Sequence, residues 1–216
     1  MWASTTTSSP TSVTIRKGEA WGHVGPCPPD VVTVRSDAEL FVLVNACRSE
    51  GRPIPAVALL GGDLMRAVGG TGDVDRLRGE VAHLPVDVVR VDADGRTAWS
   101  AAHVVARRGW WRGQLLAAVN GQFLGDWDLS ARAHPNDGLV DVVRVDASMS
   151  VRDRWRAKGR AVVGAHVPHP AIHIRRSATT VVDFDRPMRV WIDGTTWVNA
   201  TTLTLTVEPD AFIACV

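Results

Sequence analysis

The sequence has no tyrosine and only two lysines, Lys17 and Lys158, so nearly all of its 24 Lys+Arg side chains are arginine. That bias reflects coding composition and carries no mechanism. Cysteine is equally sparse. Cys27, Cys47 and Cys215 are an odd number with no CxxC pair, which argues against a secreted disulfide framework and against a structural zinc site. An excess of one charge is also missing. The 23 acids offset the basic residues to a net charge of +1, so a bulk nucleic-acid binder is not expected. No apolar run approaches the roughly 20 residues that span a bilayer. Residues 1–12, MWASTTTSSPTS, lack the basic and apolar regions of a signal peptide, and the expected compartment is the cytoplasm.

What remains is a chain of 216 residues, 45% apolar and 22% charged. At that length folding buries roughly 70% of the unfolded surface without a covalent or metal staple. The nine tryptophans are expected mainly as packing residues.

The pattern along the chain divides it. Residues 1–12 read as a disordered tail, followed by a short strand at 12–16 and a loop over 18–30 carrying Pro26, Pro28 and Pro29. Val31–Val34 is a β-branched strand, and Ser36 with Glu39 forms a capping-box signal for a helix reaching about Ser49 that buries Leu40, Val44 and Cys47. A strand over Ile54–Leu60, the Gly61-Gly62-Asp63 turn and a short helix over 64–68 complete half of an α/β layer. From residue 81 the period becomes two. Strands are expected at 86–92, 97–106, 114–120, 123–133 and 139–145, with a hairpin tip at 107–110. A helix capped by Ser150 runs to about Gly164, and short strands follow at 172–176, 179–184, 188–192, 196–207 and 211–216. The expected fold class is α+β: a reduced α/β nucleotide-type subdomain over 13–75, then an antiparallel β-sandwich over 76–216. No internal repeat is found.

Two segments carry a family resemblance. His134-Pro-Asn-Asp137-Gly-Leu139-Val-Asp141 resembles the (N/D)DGLLD segment of bacterial diacylglycerol kinase and sphingosine kinase-like lipid kinases. It follows Asn120-Gly121-Gln-Phe-Leu-Gly125, which stands where that family has a NG-x-x-x-GG turn. Val190-Trp-Ile-Asp193-Gly194 resembles the late DGE turn, with Thr195 in place of the glutamate. Further upstream, Leu59–Gly70 is similar to GTGNDLARALG, and residues 35–39 align with the phosphate loop GGDGT. There Arg35, Ser36, Ala38 and Glu39 replace the glycines and threonine, and only Asp37 is kept. The resemblance also implies that the family's first βαβ unit has no counterpart here.

By resemblance, Asp193 is the general base for a lipid hydroxyl, and Asp37, Gly61, Gly62 and Asp63 line the nucleotide site. Asp137, with backbone oxygens of His134 and Leu139, would hold Mg²⁺. ATP and Mg²⁺ are the cofactors if the protein is active. The altered loop lacks the glycines that let backbone N–H groups approach phosphate, and Glu39 adds negative charge there. The expectation is therefore a degenerate, weakly active or inactive lipid-kinase-like protein that binds a ligand or partner. The alternatives are an active lipid kinase and an oligomerisation module.

Other readings of the same residues stay open. Asp-Gly pairs are ordinary turn chemistry, and Asp37 and Asp63 suit N-cap roles. His134, His166, His169 and His173 lack metal-binding helical spacing, while His83 and His103 carry no motif. Arg107-Arg-Gly-Trp110-Trp111-Arg112 suits peripheral contact with an anionic membrane. The basic series from Arg152 to Arg160 reads as a solvated helix surface. An exposed sheet edge would favour a homo-oligomer.

Overall fold

The computed structural model describes residues 21–216; the expected tail and the strand at 12–16 lie outside them. Strand β1 (His23–Pro26) falls inside the segment read as a proline loop, where it pairs antiparallel with the start of β4 (Glu80–Ala93). Strand β2 (Val32–Val34) runs parallel to β3 (Val57–Leu59), and between them lies helix α1 (Asp37–Ser49). Ser36 caps α1 by accepting the Glu39 N–H at 3.2 Å, while the Glu39 carboxylate accepts from Arg35 N at 2.7 Å. The expected capping box thus closes one residue further back. Leu40, Val44 and Cys47 are buried as their spacing predicts. Asn45 docks the helix by donating to the Trp99 carbonyl and accepting from its N–H, at 2.8 and 2.9 Å. Helix α2 (Asp63–Ala67) and a 3₁₀ turn over Val74–Arg78 lead into β4.

Nine further strands follow: β5 (Arg96–Ser100), β6 (His103–Arg107), β7 (Leu115–Val119), β8 (Phe123–Leu124), β9 (Trp127–Asp128), β10 (Val140–Val145), β11 (Ile172–Ser177), β12 (Thr179–Ile192) and β13 (Thr195–Cys215). Helix α3 (Val151–Ala161) separates β10 from β11. The main path of the large sheet is β1-β4-β13-β12-β6-β7-β10-β11, with β3 joined in parallel to the end of β13 and β5 joined to β4. The sheet folds over on itself, so that Val89 and Val91 of β4, next to one end of the path, share one core with Val140 and Val142 of β10, next to the other. That is the sandwich expected from the alternating pattern. All of β7 is buried because Leu116 and Ala118 enter this core, whereas Leu115, Ala117 and Val119 face a second core under α3.

Several expected boundaries shift for identifiable reasons. The strand expected over 97–106 breaks after Ser100, because the N–H groups of Ala101 and Ala102 turn toward a carboxylate. The expected pairs 179–184 with 188–192, and 196–207 with 211–216, are single strands interrupted by register shifts. The segment 123–133 holds only the small β8–β9 hairpin. Among the basic residues of α3, Arg154 is not solvated. It is buried and donates to the carbonyls of Met149, Trp110, Gly113 and Asp146. No described helix is long and apolar enough to cross a membrane.

Candidate functional site

Asp193 sits at the tight turn joining β12 to β13, with φ of 48° and Gly194 following at 81°. Its carboxylate is buried and accepts four hydrogen bonds: Ser100 Oγ at 2.7 Å, Ala101 N at 2.9 Å, Ala102 N at 3.0 Å and His103 N at 2.8 Å. Asp193 N returns a bond to the His103 carbonyl at 2.9 Å. Burial pushes its pKa up, against the opposing pull of His103 and of these N–H donors. The residue expected as the base thus holds the β5–β6 corner in place.

Asp37 belongs to the first turn of α1, yet its side chain crosses to the start of α2 and accepts from Asp63 N at 2.6 Å and Leu64 N at 3.2 Å. It caps a helix other than its own. The glycine pair makes this approach possible. A Cβ at 61 would lie 2.2 Å from the Arg35 carbonyl oxygen, and one at 62 would lie 2.4 Å from Asp37 Oδ1. Burial raises the Asp37 pKa to about 6, with Asp193 adding to the rise. Asp37, Gly61, Gly62 and Asp63 are therefore brought together as the resemblance implied. They do not fit a nucleotide phosphate as they stand, because the N–H groups that open α2 already hold a carboxylate.

The Asp63 side chain turns to the other side, where Oδ2 accepts from Gly125 N at 2.6 Å and lies 3.7 Å from His103 Nδ1. His103 is 7% exposed, and its Nδ1 has no hydrogen-bond partner. One ligand atom each from Asp37, Asp63 and His103 fall within 4.8 Å of one another. The sequence offered no signal for His103 beyond an imidazole inside an apolar strand.

The residues expected at the Mg²⁺ site occupy one turn, with Gly138 at φ 70°. Asp137 Oδ1 accepts from Leu139 N at 3.0 Å, and its Oδ2 is paired with the Arg176 guanidinium. Arg176 Nε also reaches Asp141 Oδ2 at 3.1 Å, and Asp141 accepts from Ser130 Oγ at 2.8 Å. The His134 ring packs edge-on against Trp21 at 4.4 Å between centroids, and its Nδ1 accepts from Asn136 N at 3.2 Å. This donor set does not fit Mg²⁺ as it stands, since a guanidinium already neutralises Asp137. Asp87, unmarked by any motif, holds the turn by accepting from Gly138 N at 2.8 Å, Asp210 N at 2.9 Å and Asn136 Nδ2 at 3.1 Å. Burial raises the pKa of Asp87, Asp137 and Asp141.

At the β6–β7 tip, Arg107 is stacked between Trp110 and Trp191, each ring 4.2 Å from its guanidinium carbon. Trp110 turns inward against Trp127, while Trp111 and Arg108 stay exposed. Behind Trp110, a cavity of about 180 Å³ opens between α3 and the sheet. Trp127, Leu129, Met149 and Ile172 supply apolar wall, with Lys158 and His166 among the polar side chains. His166 is 6% exposed and neither ring nitrogen has a hydrogen-bond partner; burial lowers its pKa against the influence of Asp128.

Comparison with known proteins agrees with this architecture. Among curated proteins, none matches the sequence. A solved structure of a diacylglycerol kinase from Bacillus anthracis str. Sterne superposes with a TM-score of 0.65 at 14% identity, covering 86% of this chain and 77% of that one. Two further structures from that organism cover the same shares, with TM-scores of 0.66 and 0.60 at 13% and 15% identity. At such identities the likeness is one of fold. Residues 76–215 match the YegS C-terminal NAD kinase beta sandwich-like domain, a range that takes in the sheet from β4 onward and the turns at Asp137-Gly138 and Asp193-Gly194. On that match, which covers well over half of the chain, the chain belongs to the family of proteins that carry the YegS C-terminal NAD kinase beta sandwich-like domain.

Proposed function

We propose that this chain is a degenerate lipid-kinase-like protein, weak or inactive in phosphoryl transfer, that binds an apolar ligand. One observation carries the first half: Asp37 seats its carboxylate on the N–H groups of Asp63 and Leu64. Phosphoryl transfer depends on holding and neutralising the nucleotide, and a carboxylate in the anion cradle opposes both. The burial of Asp193 beneath four donors supports the same reading, since a base must reach a substrate proton.

The ligand half rests on the tryptophan-walled cavity beside α3. It is concave and apolar, with a few polar groups at its edge, as small-molecule sites are. Its volume suits an aromatic ring system or a medium-length alkyl chain.

Calorimetric titration with ATP, with and without Mg²⁺, tests the first half. No heat at millimolar nucleotide is expected. Micromolar, Mg²⁺-dependent binding lost on Asp137→Ala would overturn this half and revive the active-kinase reading, with lipid substrates then to be screened for turnover. For the second half, medium-chain alcohols and carboxylates should change the tryptophan fluorescence, and Met149→Trp, which fills the cavity, should abolish the change.

A further inference from the structure

We propose that Asp37, Asp63 and His103 form a binding site for a divalent d-block cation of the zinc type. The inference goes beyond the lack of nucleotide chemistry and does not depend on the apolar cavity.

The three side chains come from α1, α2 and β6, and their ligand atoms lie within 4.8 Å of one another. His103 supplies the decisive feature. Its Nδ1 is buried, without a hydrogen-bond partner, and stands 3.7 Å from Asp63 Oδ2. A buried imidazole nitrogen left unpaired costs free energy unless something occupies it. Asp37 and Asp63 each accept backbone N–H bonds, and Arg66 Nη1 stands 3.6 Å from Asp63 Oδ1, but Asp63 Oδ2, the oxygen nearer His103, has a second lone pair for a cation.

The donor chemistry selects the ion. One imidazole nitrogen with two carboxylate oxygens suits zinc, whereas Mg²⁺ prefers oxygen alone and keeps most of its waters. Three protein ligands leave a fourth tetrahedral position for water. Zinc holds such atoms roughly 2.0–2.2 Å from itself, so ligand atoms now within 4.8 Å of one another would have to draw closer around the ion. Because the ligands come from three elements, the ion would also tie the α1–α2 layer to the sandwich strand β6.

The competing arrangement holds no ion, with His103 Nδ1 turned directly onto the Asp63 carboxylate 3.7 Å away. Chelator-stripped full-length protein should be titrated with Zn²⁺ by calorimetry, and with Co²⁺ as an optical probe. The proposal expects one equivalent of Zn²⁺, undisturbed by excess Mg²⁺, and Co²⁺ visible bands without a thiolate charge-transfer band. Affinity should fall by at least roughly tenfold in His103→Gln and in Asp63→Asn. A Cys27→Ser/Cys215→Ser double variant should bind as the parent does. Absence of stoichiometric binding, binding unchanged by the two site substitutions, or a thiolate band would overturn the proposal. The Co²⁺ spectrum of the unsubstituted protein decides the matter if either site variant fails to fold.

Discussion

Asp193 and Ser100 meet at 2.7 Å, hydroxyl to carboxylate, and so fasten the β12–β13 turn to the corner where β5 ends. Around that contact the N–H groups of residues 101–103 converge on the same carboxylate. Replacing Asp193 by Asn puts an amide NH₂ against buried N–H donors. We expect Asp193→Asn to lose about 3 kcal/mol of stability and Ser100→Ala about 1 kcal/mol, read from urea unfolding. A neutral Asp193→Asn would show that the corner holds itself without the carboxylate.

The glycine before α2 offers a sharper contrast. At Gly62, with φ 97°, an added Cβ meets the Asp37 carboxylate at 2.4 Å. At Gly95, with φ 84°, nothing lies within 4 Å. Gly62→Ala should therefore cost about 3 kcal/mol, from strain plus collision, and Gly95→Ala about 1 kcal/mol from strain alone. Equal losses in thermal or urea unfolding would show that Asp37 moves aside freely.

Arg154 satisfies four backbone carbonyls at once, across the β6–β7 tip and the start of α3. A lysine carries the charge but lacks the planar fork. Arg154→Lys should lose about 2 kcal/mol and loosen the adjoining cavity wall, visible as faster amide exchange in residues 110–113.

His166 gives a pH signature. Its folded-state pKa is lowered by burial, so the unfolded chain binds the proton more tightly. The stability this contributes is complete above the ordinary histidine value near 6.5 and is lost as the pH falls through the folded-state value. The raised pKa values of Asp37, Asp87, Asp137, Asp141 and Asp193 act oppositely, favouring the fold as these groups protonate. The difference between parent and His166→Gln isolates the histidine. The variant should lose less stability than the parent on acidification below about pH 6.5, and parallel unfolding curves would contradict this.

Local chemistry made much of the fold legible. Ser36 and Ser150 cap the helices they were expected to cap, because each hydroxyl needs only an N–H three residues on. Leu40, Val44 and Cys47 face inward because helical spacing leaves them one face. The family's turns were readable because Asp-Gly pairs and flanking strands are contiguous in the chain. The site was half legible: Asp37 and Asp63 were recognised by their loops, whereas His103, Asp87 and Arg176 carry no local pattern.

By itself, then, the sequence determined the strand-rich sandwich and the short α/β layer, which follow from periodicity, while the family was carried by the resemblance of its turn motifs. Only the tertiary structure decided what the acidic residues do. Asp193 reaches a corner 90 to 92 residues earlier, Asp37 caps a helix 26 residues later, and Asp137 finds Arg176 across 39 residues. A carboxylate's role is set by which donors surround it and how much water is removed, and those neighbours are assembled by the curl of the sheet.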